Sequence, residues 1–192
     1  MIKNWVKKWK ESSYKKSAKE PIGWLLKADE LKRAADILLQ QIFVDEKNPK
    51  LNETSLISTY MLLAGFAIEN LAKGIYFLDH EATEECRLVK IGQGHSSSKY
   101  LEAMGLLQSE EKMSEVEKSD KELVDRLSEY TTGEGRYHIA TTIQKHFKNI
   151  GKPKQTCASF SPGDPSKIDI LFKKMRTRLD PGNKIRAVIL SD

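Results

Sequence analysis

The sequence predicts an all-α protein, folded as an antiparallel up-down helical bundle of four to five main helices plus short helices. Apolar residues recur at spacings of three and four along most of the chain, and proline and glycine separate these periodic segments. The 192 residues suffice for one domain with a substantial core. We expect a basic amphipathic segment at residues 1–19, the helical bundle at residues 20–180 and a C-terminal tail at residues 181–192.

The N-terminal segment has the pattern of a basic amphipathic helix. Ile2, Trp5, Val6 and Trp9 follow helical spacing, and lysines fill most of the remaining positions. The formal net charge of +5 is therefore concentrated here, and the rest of the chain is close to neutral. The pattern fits a contact with an anionic membrane surface or with nucleic-acid phosphates. It also fits a first helix whose tryptophans pack on the bundle, which we favour because a bundle commonly uses such an apolar stripe itself.

Two long helices are predicted next. The first begins at Pro21, because proline suits a first helical turn, and it ends before Pro49. The second begins after Asn52, which can cap it. Small residues in the second helix would let neighbours approach closely, so we expect it to be the most buried helix. The two predicted apolar stripes are Ala28, Leu31, Ala35, Leu38 and Ile42, and then Leu56, Tyr60, Leu63, Ala67, Leu71, Gly74 and Leu78.

Further helices are predicted in the second half of the chain. A short helix runs from Tyr100 to Leu107, and a last helix opens at Pro165 after a loop at residues 151–165. The segment from Ile139 to Ile150 fits a short helix or a strand, because its β-branched residues weaken the helical pattern. The remaining stripes are Met113, Val116, Asp120, Leu123, Leu127 and Tyr130, and then Ile168, Leu171, Phe172, Met175 and Leu179.

Several classes of site are not predicted. Cys86 and Cys157 have no metal-ligand spacing, so we interpret them as free thiols in a reducing compartment. No run of about 18 apolar residues and no signal-peptide core is present, so we expect a cytoplasmic protein. The phosphate-loop, dinucleotide-binding, zinc-protease and di-iron motifs are missing. No metal and no cofactor are therefore predicted.

Three polar residues interrupt the apolar run FAIENLAKGIYF at residues 66–77. Glu69 and Lys73 lie one turn apart in the order that favours a helical salt bridge, and Asn70 lies beside them. The pair fits a surface stripe or a buried polar pair that fixes the register of the bundle. We call Glu69, Asn70 and Lys73 the polar seam.

A second group of candidate residues follows glycines. Arg136, Tyr137 and His138 come after a Gly-rich turn at the predicted start of a helix, where an anion would be favoured. His95 follows Gly94 and fits a contact at the end of the bundle or a ligand-binding position. These four residues are the candidate nucleotide- or RNA-binding site.

Three segments taken in order resemble the HEPN superfamily of helical-bundle domains. They are AIENLAKGIYF at residues 67–77, the Gly-His pair at residues 94–95 with KYLEAMGL after it, and ELVDRLSEYTTGEGRY at residues 122–137. The resemblance covers roughly residues 56–137. It implies nucleotide or RNA binding, toxin–antitoxin or phage-defence settings, and in some members RNA cleavage.

The chain departs from the ribonuclease motif of that superfamily, in which a histidine follows an arginine after four to six residues. In that motif the arginine would hold phosphate and the histidine would act as acid or base. The nearest pairs here are Arg87 with His95 and Arg136 with His138 or His146, and none has this spacing. On a helix, Arg136 and His146 would lie about 15 Å apart along the axis.

Two functional hypotheses follow, and a third is a bundle that only scaffolds a partner. The favoured one is a non-catalytic HEPN-like binding or interaction module, a homodimer that acts in a prokaryotic stress, toxin–antitoxin or phage-defence setting. Its partners would be an antitoxin or nucleotidyltransferase-like protein, and RNA or a nucleotide. The alternative is a divergent HEPN ribonuclease or nucleotide-handling enzyme with a site around Arg136 and His138.

Overall fold

The computed structural model describes residues 12–13, 16–17, 20–45, 53–79, 101–102, 114–132 and 160–182. These ranges contain four helices and no strand, which confirms the predicted all-α class. The helices are α1 (Pro21–Asp45), α2 (Glu53–Asp79), α3 (Glu115–Thr132) and α4 (Asp164–Leu179).

Helix α2 is the centre of the fold and packs against each of the other three helices. Its apolar residues lie on nearly every side of the helix, and a helix of that kind is stable only when it is surrounded by protein. From Tyr60 to Phe77 most of its side chains are buried, as predicted for the second long helix. Leu101 belongs to the same core.

Helix α2 also meets, by length and composition alone, the criterion for a membrane span. The segment Leu56–Leu78 has a mean hydropathy of 1.3, and 61% of its most apolar stretch of 18 residues is buried inside the protein. Buried core helices of soluble proteins meet the same criterion, so this is weak evidence for a membrane span.

Two glycines bring α2 close to its neighbours. A Cβ atom at Gly65 would lie 2.8 Å from Cγ2 of Thr131 and 2.9 Å from the backbone oxygen of Leu127. A Cβ atom at Gly74 would lie 2.8 Å from Cβ of Trp24 and 3.0 Å from Cδ2 of Leu179. The absence of a side chain at these positions lets α2 approach α3 at one level and α1 and α4 at another.

Aromatic contacts join the ends of the helices. Trp24, near the start of α1, stacks on Phe77, near the end of α2, with 5.9 Å between ring centroids. Tyr60, near the start of α2, meets Phe160 edge-on at 6.2 Å, just before α4 begins. Aromatic pairs in these geometries add to the stabilisation from buried area.

Helices α3 and α4 begin with different N-terminal structures. Ser114 and Glu117 form a capping box, in which each side chain accepts a hydrogen bond from the backbone N–H of the other residue. Helix α4 begins at Asp164, with Pro165 in its first turn, and its predicted stripe is buried throughout. The chain leaves α4 through Pro181 and Gly182, whose φ of 95° favours glycine.

Among the described residues of the four apolar stripes predicted for the bundle, two are exposed instead. Val116 is 71% exposed and Leu78 is 47% exposed. Val116 lies in the first turn of α3 and Leu78 in the last turn of α2, and both side chains point away from the described neighbours that cover the rest of each stripe. Helical periodicity identifies a face, and it does not show how far along that face the neighbouring helix extends.

Other predicted segments lie outside the described residues. These are almost all of residues 1–19, the short helix after Tyr100 apart from residues 101–102, the segment from Ile139 to Ile150, and the tail beyond residue 182. Ser13, within the predicted N-terminal segment, is described, and it is helical and exposed.

Candidate functional site

A groove of about 510 Å³ lies between α1 and α4. Its volume falls within the range of small-molecule binding sites. Charged residues dominate its lining, which consists of Lys32, Asp36, Asp169, Phe172, Lys173, Arg176 and Thr177.

Lys32 forms the floor of the groove and is only 8% exposed. Its ammonium nitrogen lies 2.5 Å from Oδ1 of Asp36 and 2.5 Å from Oδ1 of Asp169, and 5.9 Å from the ring centroid of Phe172. Burial lowers the pKa of Lys32, but hydrogen bonds and charge attraction from the two carboxylates outweigh that effect and raise its pKa overall. Lys32 is therefore a fixed cation that joins the two walls of the groove.

A second ion pair joins α1 and α4 beside the groove. Nε of Arg176 lies 3.1 Å from Oδ1 of Asp29, and the guanidinium also donates to Oδ2 at 3.2 Å. This two-point geometry matches the flat guanidinium to the flat carboxylate. With the Lys32–Asp169 pair, it connects the two helices at two levels.

The start of α4 is held by a buried carboxylate. Asp164 has no solvent exposure, accepts a hydrogen bond from the backbone N–H of Ser161 at 2.9 Å, and pairs with Arg126 of α3 at 2.6 Å. A buried carboxylate is tolerated when it is paired and hydrogen-bonded in this way. This ion pair fixes the position of α4 against α3.

The Tyr60 hydroxyl is a buried polar group with no hydrogen-bond partner among the described residues. Burial raises the pKa of Tyr60, and the negative charges of Asp169, Asp36 and Asp164 raise it further. The hydroxyl therefore stays protonated through the neutral range and into alkaline pH.

The polar seam lies in the interior of the fold. Glu69 is 2% exposed and forms an ion pair with Lys73, whose side chain is mostly covered. Asn70 is half-buried and donates a hydrogen bond of 2.8 Å to the backbone oxygen of Phe66. The ion pair and the hydrogen bond both lie within the central helix, and none of the three residues lines the groove.

The candidate binding residues Arg136, Tyr137, His138 and His95 lie outside the described residues. The structure therefore places none of these four relative to the groove. Within the described ranges, no group of three or more His, Cys, Asp or Glu residues could hold a metal ion.

Sequence reasoning missed the residues of the groove. Lys32 and Asp36 have the same one-turn spacing as Glu69 and Lys73, and Lys32 directly follows Leu31 of the predicted stripe. The sequence pattern could therefore have predicted an ion pair between Lys32 and Asp36. Asp29 and Arg176 are 147 positions apart, and nothing local in the sequence links them. Their pairing follows from the packing of α4 on α1.

Comparison of the chain with protein-family models, with curated proteins and with solved structures found no match. The resemblance to the HEPN superfamily therefore rests on the three sequence segments described above.

Proposed function

We propose that the chain is a non-catalytic HEPN-like module that binds other molecules and acts as a homodimer. The observation that carries this proposal is the groove between α1 and α4, where each carboxylate is held by a cation. A general base must be available to take a proton from a substrate. Asp29, Asp36 and Asp169 instead hold cations in place, which suits recognition better than proton transfer.

The proposal includes an antiparallel up-down bundle. The stacking of Trp24 on Phe77 supports opposite directions for α1 and α2, because it joins the start of one helix to the end of the other. On α3 and α4, Ser119 contacts Lys167, and Arg126 contacts Asp164. The later residue of α3 meets the earlier residue of α4, which supports opposite directions for this pair as well.

The proposed setting is a prokaryotic stress, toxin–antitoxin or phage-defence system in the cytoplasm. The support for it is the resemblance of the three segments, in their order along the chain. The proposed binding residues are Arg136, Tyr137, His138 and His95, and the proposed partners are RNA or a nucleotide and an antitoxin or nucleotidyltransferase-like protein.

An RNA assay tests the proposal. Purified wild type is incubated with a labelled RNA, alongside the Arg136→Ala and His138→Ala variants and Arg33→Ala, a control at an exposed position of α1. We expect binding without degradation by the wild type. RNA degradation by the wild type that is lost in Arg136→Ala and His138→Ala but kept in Arg33→Ala would establish the enzymatic alternative.

The oligomeric state is tested separately by light scattering coupled to size-exclusion chromatography. The monomer has a mass of 21.9 kDa. We expect twice that mass, and a monomer at all accessible concentrations would contradict the proposed homodimer.

A further inference from the structure

The most exposed residues of helix α4 are neutral or cationic. They are Ser166, Lys167, Ile170, Lys173, Lys174, Thr177 and Arg178. Its two acids are each paired with a cation, since Asp164 is buried against Arg126, and Asp169, whose side chain is 50% exposed, is bound to Lys32. The solvent-facing side of α4 is therefore a basic face, although the folded body as a whole is close to neutral.

Three cations of the basic face follow one line along the helix. Seven positions separate Lys167 from Lys174, and four separate Lys174 from Arg178. These spacings correspond to about two turns and about one turn of the helix. The corresponding rises are about 10 Å and about 6 Å. Such a row can follow the phosphates of an extended strand. The negative charge of Glu117 on α3 partly offsets the positive charge of Lys174. The pKa of Glu117 is lowered mainly by its hydrogen bonds with Ser114, and the attraction to Lys174 makes a minor contribution.

The basic face continues into the groove. Lys173 is exposed on α4 and also lines the groove, where it forms no ion pair with another described residue. The groove has a volume of about 510 Å³, within the range of sites for small ligands, so it can accept one nucleotide of a strand.

A nucleic-acid strand fits these features better than a lipid surface does. A bilayer is flat on this scale and cannot enter the groove. Membrane-binding helices also present several large apolar residues, whereas Ile170 is the large apolar side chain that α4 exposes.

We propose that the basic face of α4 and the adjacent groove bind single-stranded nucleic acid. Lys167, Lys174 and Arg178 contact successive phosphates, and Lys173 contacts a phosphate of the nucleotide that enters the groove. This inference rests on the proposed binding function and deepens it by naming a ligand class and a second contact surface.

Fluorescence anisotropy with a labelled 20-nucleotide oligouridine RNA, measured on the full chain over a series of salt concentrations, tests the inference. The test variant is Lys173→Gln/Lys174→Gln. The matched control is Lys27→Gln/Lys118→Gln, which removes the same charge from exposed positions of α1 and α3. Circular dichroism establishes that both variants are folded.

The expected result is a loss of affinity on the order of tenfold near 0.1 M salt for the test variant, with a salt slope smaller by about 1.4 for two lost phosphate contacts. The control should keep the wild-type slope. An equal loss in both double variants would show a general charge effect and overturn the inference.

Two other outcomes separate this inference from the proposed function. RNA binding that is unchanged in Lys173→Gln/Lys174→Gln but lost in Arg136→Ala would overturn the α4 surface and leave the binding module intact. Vesicles of phosphatidylserine and phosphatidylcholine serve as a second probe. Weakened vesicle binding and unchanged RNA binding in Lys173→Gln/Lys174→Gln would assign the basic face to a membrane and overturn the inference.

Discussion

Arg176 of α4 donates hydrogen bonds to both carboxylate oxygens of Asp29 of α1, although 147 positions separate the two residues in the chain. Lys32 and Asp169 make a second connection between the same helices. The two ion pairs hold the walls of the groove at a fixed separation, so any ligand of the groove meets a shaped and charged site.

We predict a modest coupling energy between Asp29 and Arg176. A double-mutant cycle with Asp29→Ala and Arg176→Ala, followed by urea denaturation, should give about 0.5–1 kcal/mol, because the Asp29 side chain is 38% exposed and solvent screens the pair. The exposed Lys27–Glu30 pair is the control and should give a smaller value. A coupling no larger than that of the control would show that the ion pair does not join the helices in solution.

Gly65→Ala should destabilise the protein, whereas Gly23→Ala should not. A methyl group at position 65 would meet Thr131 and the backbone of Leu127, and overpacking of this kind costs about 1–3 kcal/mol. A methyl group at position 23 meets nothing within 4 Å and improves helix propensity. Thermal unfolding of both variants checks the prediction, and equal stability of the two would contradict the close approach of α2 and α3.

Glu69→Ala should be among the more damaging single changes in α2. Removal of the carboxylate leaves the largely covered Lys73 ammonium without its ion pair, and loss of one member of a buried pair costs about 3 kcal/mol or more. The matched change Glu30→Ala, in an exposed pair, should fall within about 0.5 kcal/mol of wild type. Similar unfolding midpoints for the two variants would place Glu69 at the surface in solution.

Tyr60 should make the protein sensitive to alkaline pH. Its pKa is raised in the folded state, so its contribution to the free energy of unfolding is complete below the unfolded value of about 10 and is lost as the pH rises above it. Tyr60→Phe removes the ionisable group, and its stability should fall less than that of wild type between about pH 10 and pH 12.

At neutral pH, Tyr60→Phe should be neutral or stabilising, because the hydroxyl is buried with no partner among the described residues. Guanidinium denaturation at pH 7 and at pH 11 gives both comparisons. A loss of more than about 1 kcal/mol at pH 7 would mean that the hydroxyl has a hydrogen-bond partner in solution.

Local sequence signals were sufficient for the four helices that the structure describes. Pro21 correctly marked the start of α1, Pro165 lies one residue after the start of α4, and the three-four spacing identified the buried stripe of α4 without error. Helix ends were harder, since Val116 and Leu78 continue the apolar pattern into terminal turns where their own side chains are exposed.

The groove could not have been predicted from local signals. The pairs Lys32–Asp169 and Asp29–Arg176 depend on the packing of α4 against α1, and a charged residue near an apolar stripe does not reveal its distant partner. The buried position of Glu69 likewise depends on the neighbours of α2. The spacing of four positions predicted only that the Lys73 ammonium could reach the Glu69 carboxylate.

The long sequence separation of the ion pairs of α4 has a consequence for the order of folding. Contacts across 147 residues require a larger loss of chain entropy than those between α1 and α2, so we expect α4 to dock last and to detach first. Backbone amides of α4 should therefore exchange with deuterium through a smaller opening free energy than those of α2. Exchange of both helices only through global unfolding would contradict this order.

A ligand held between α1 and α4 would oppose the detachment of α4, and its binding would be visible as slower deuterium exchange in α4.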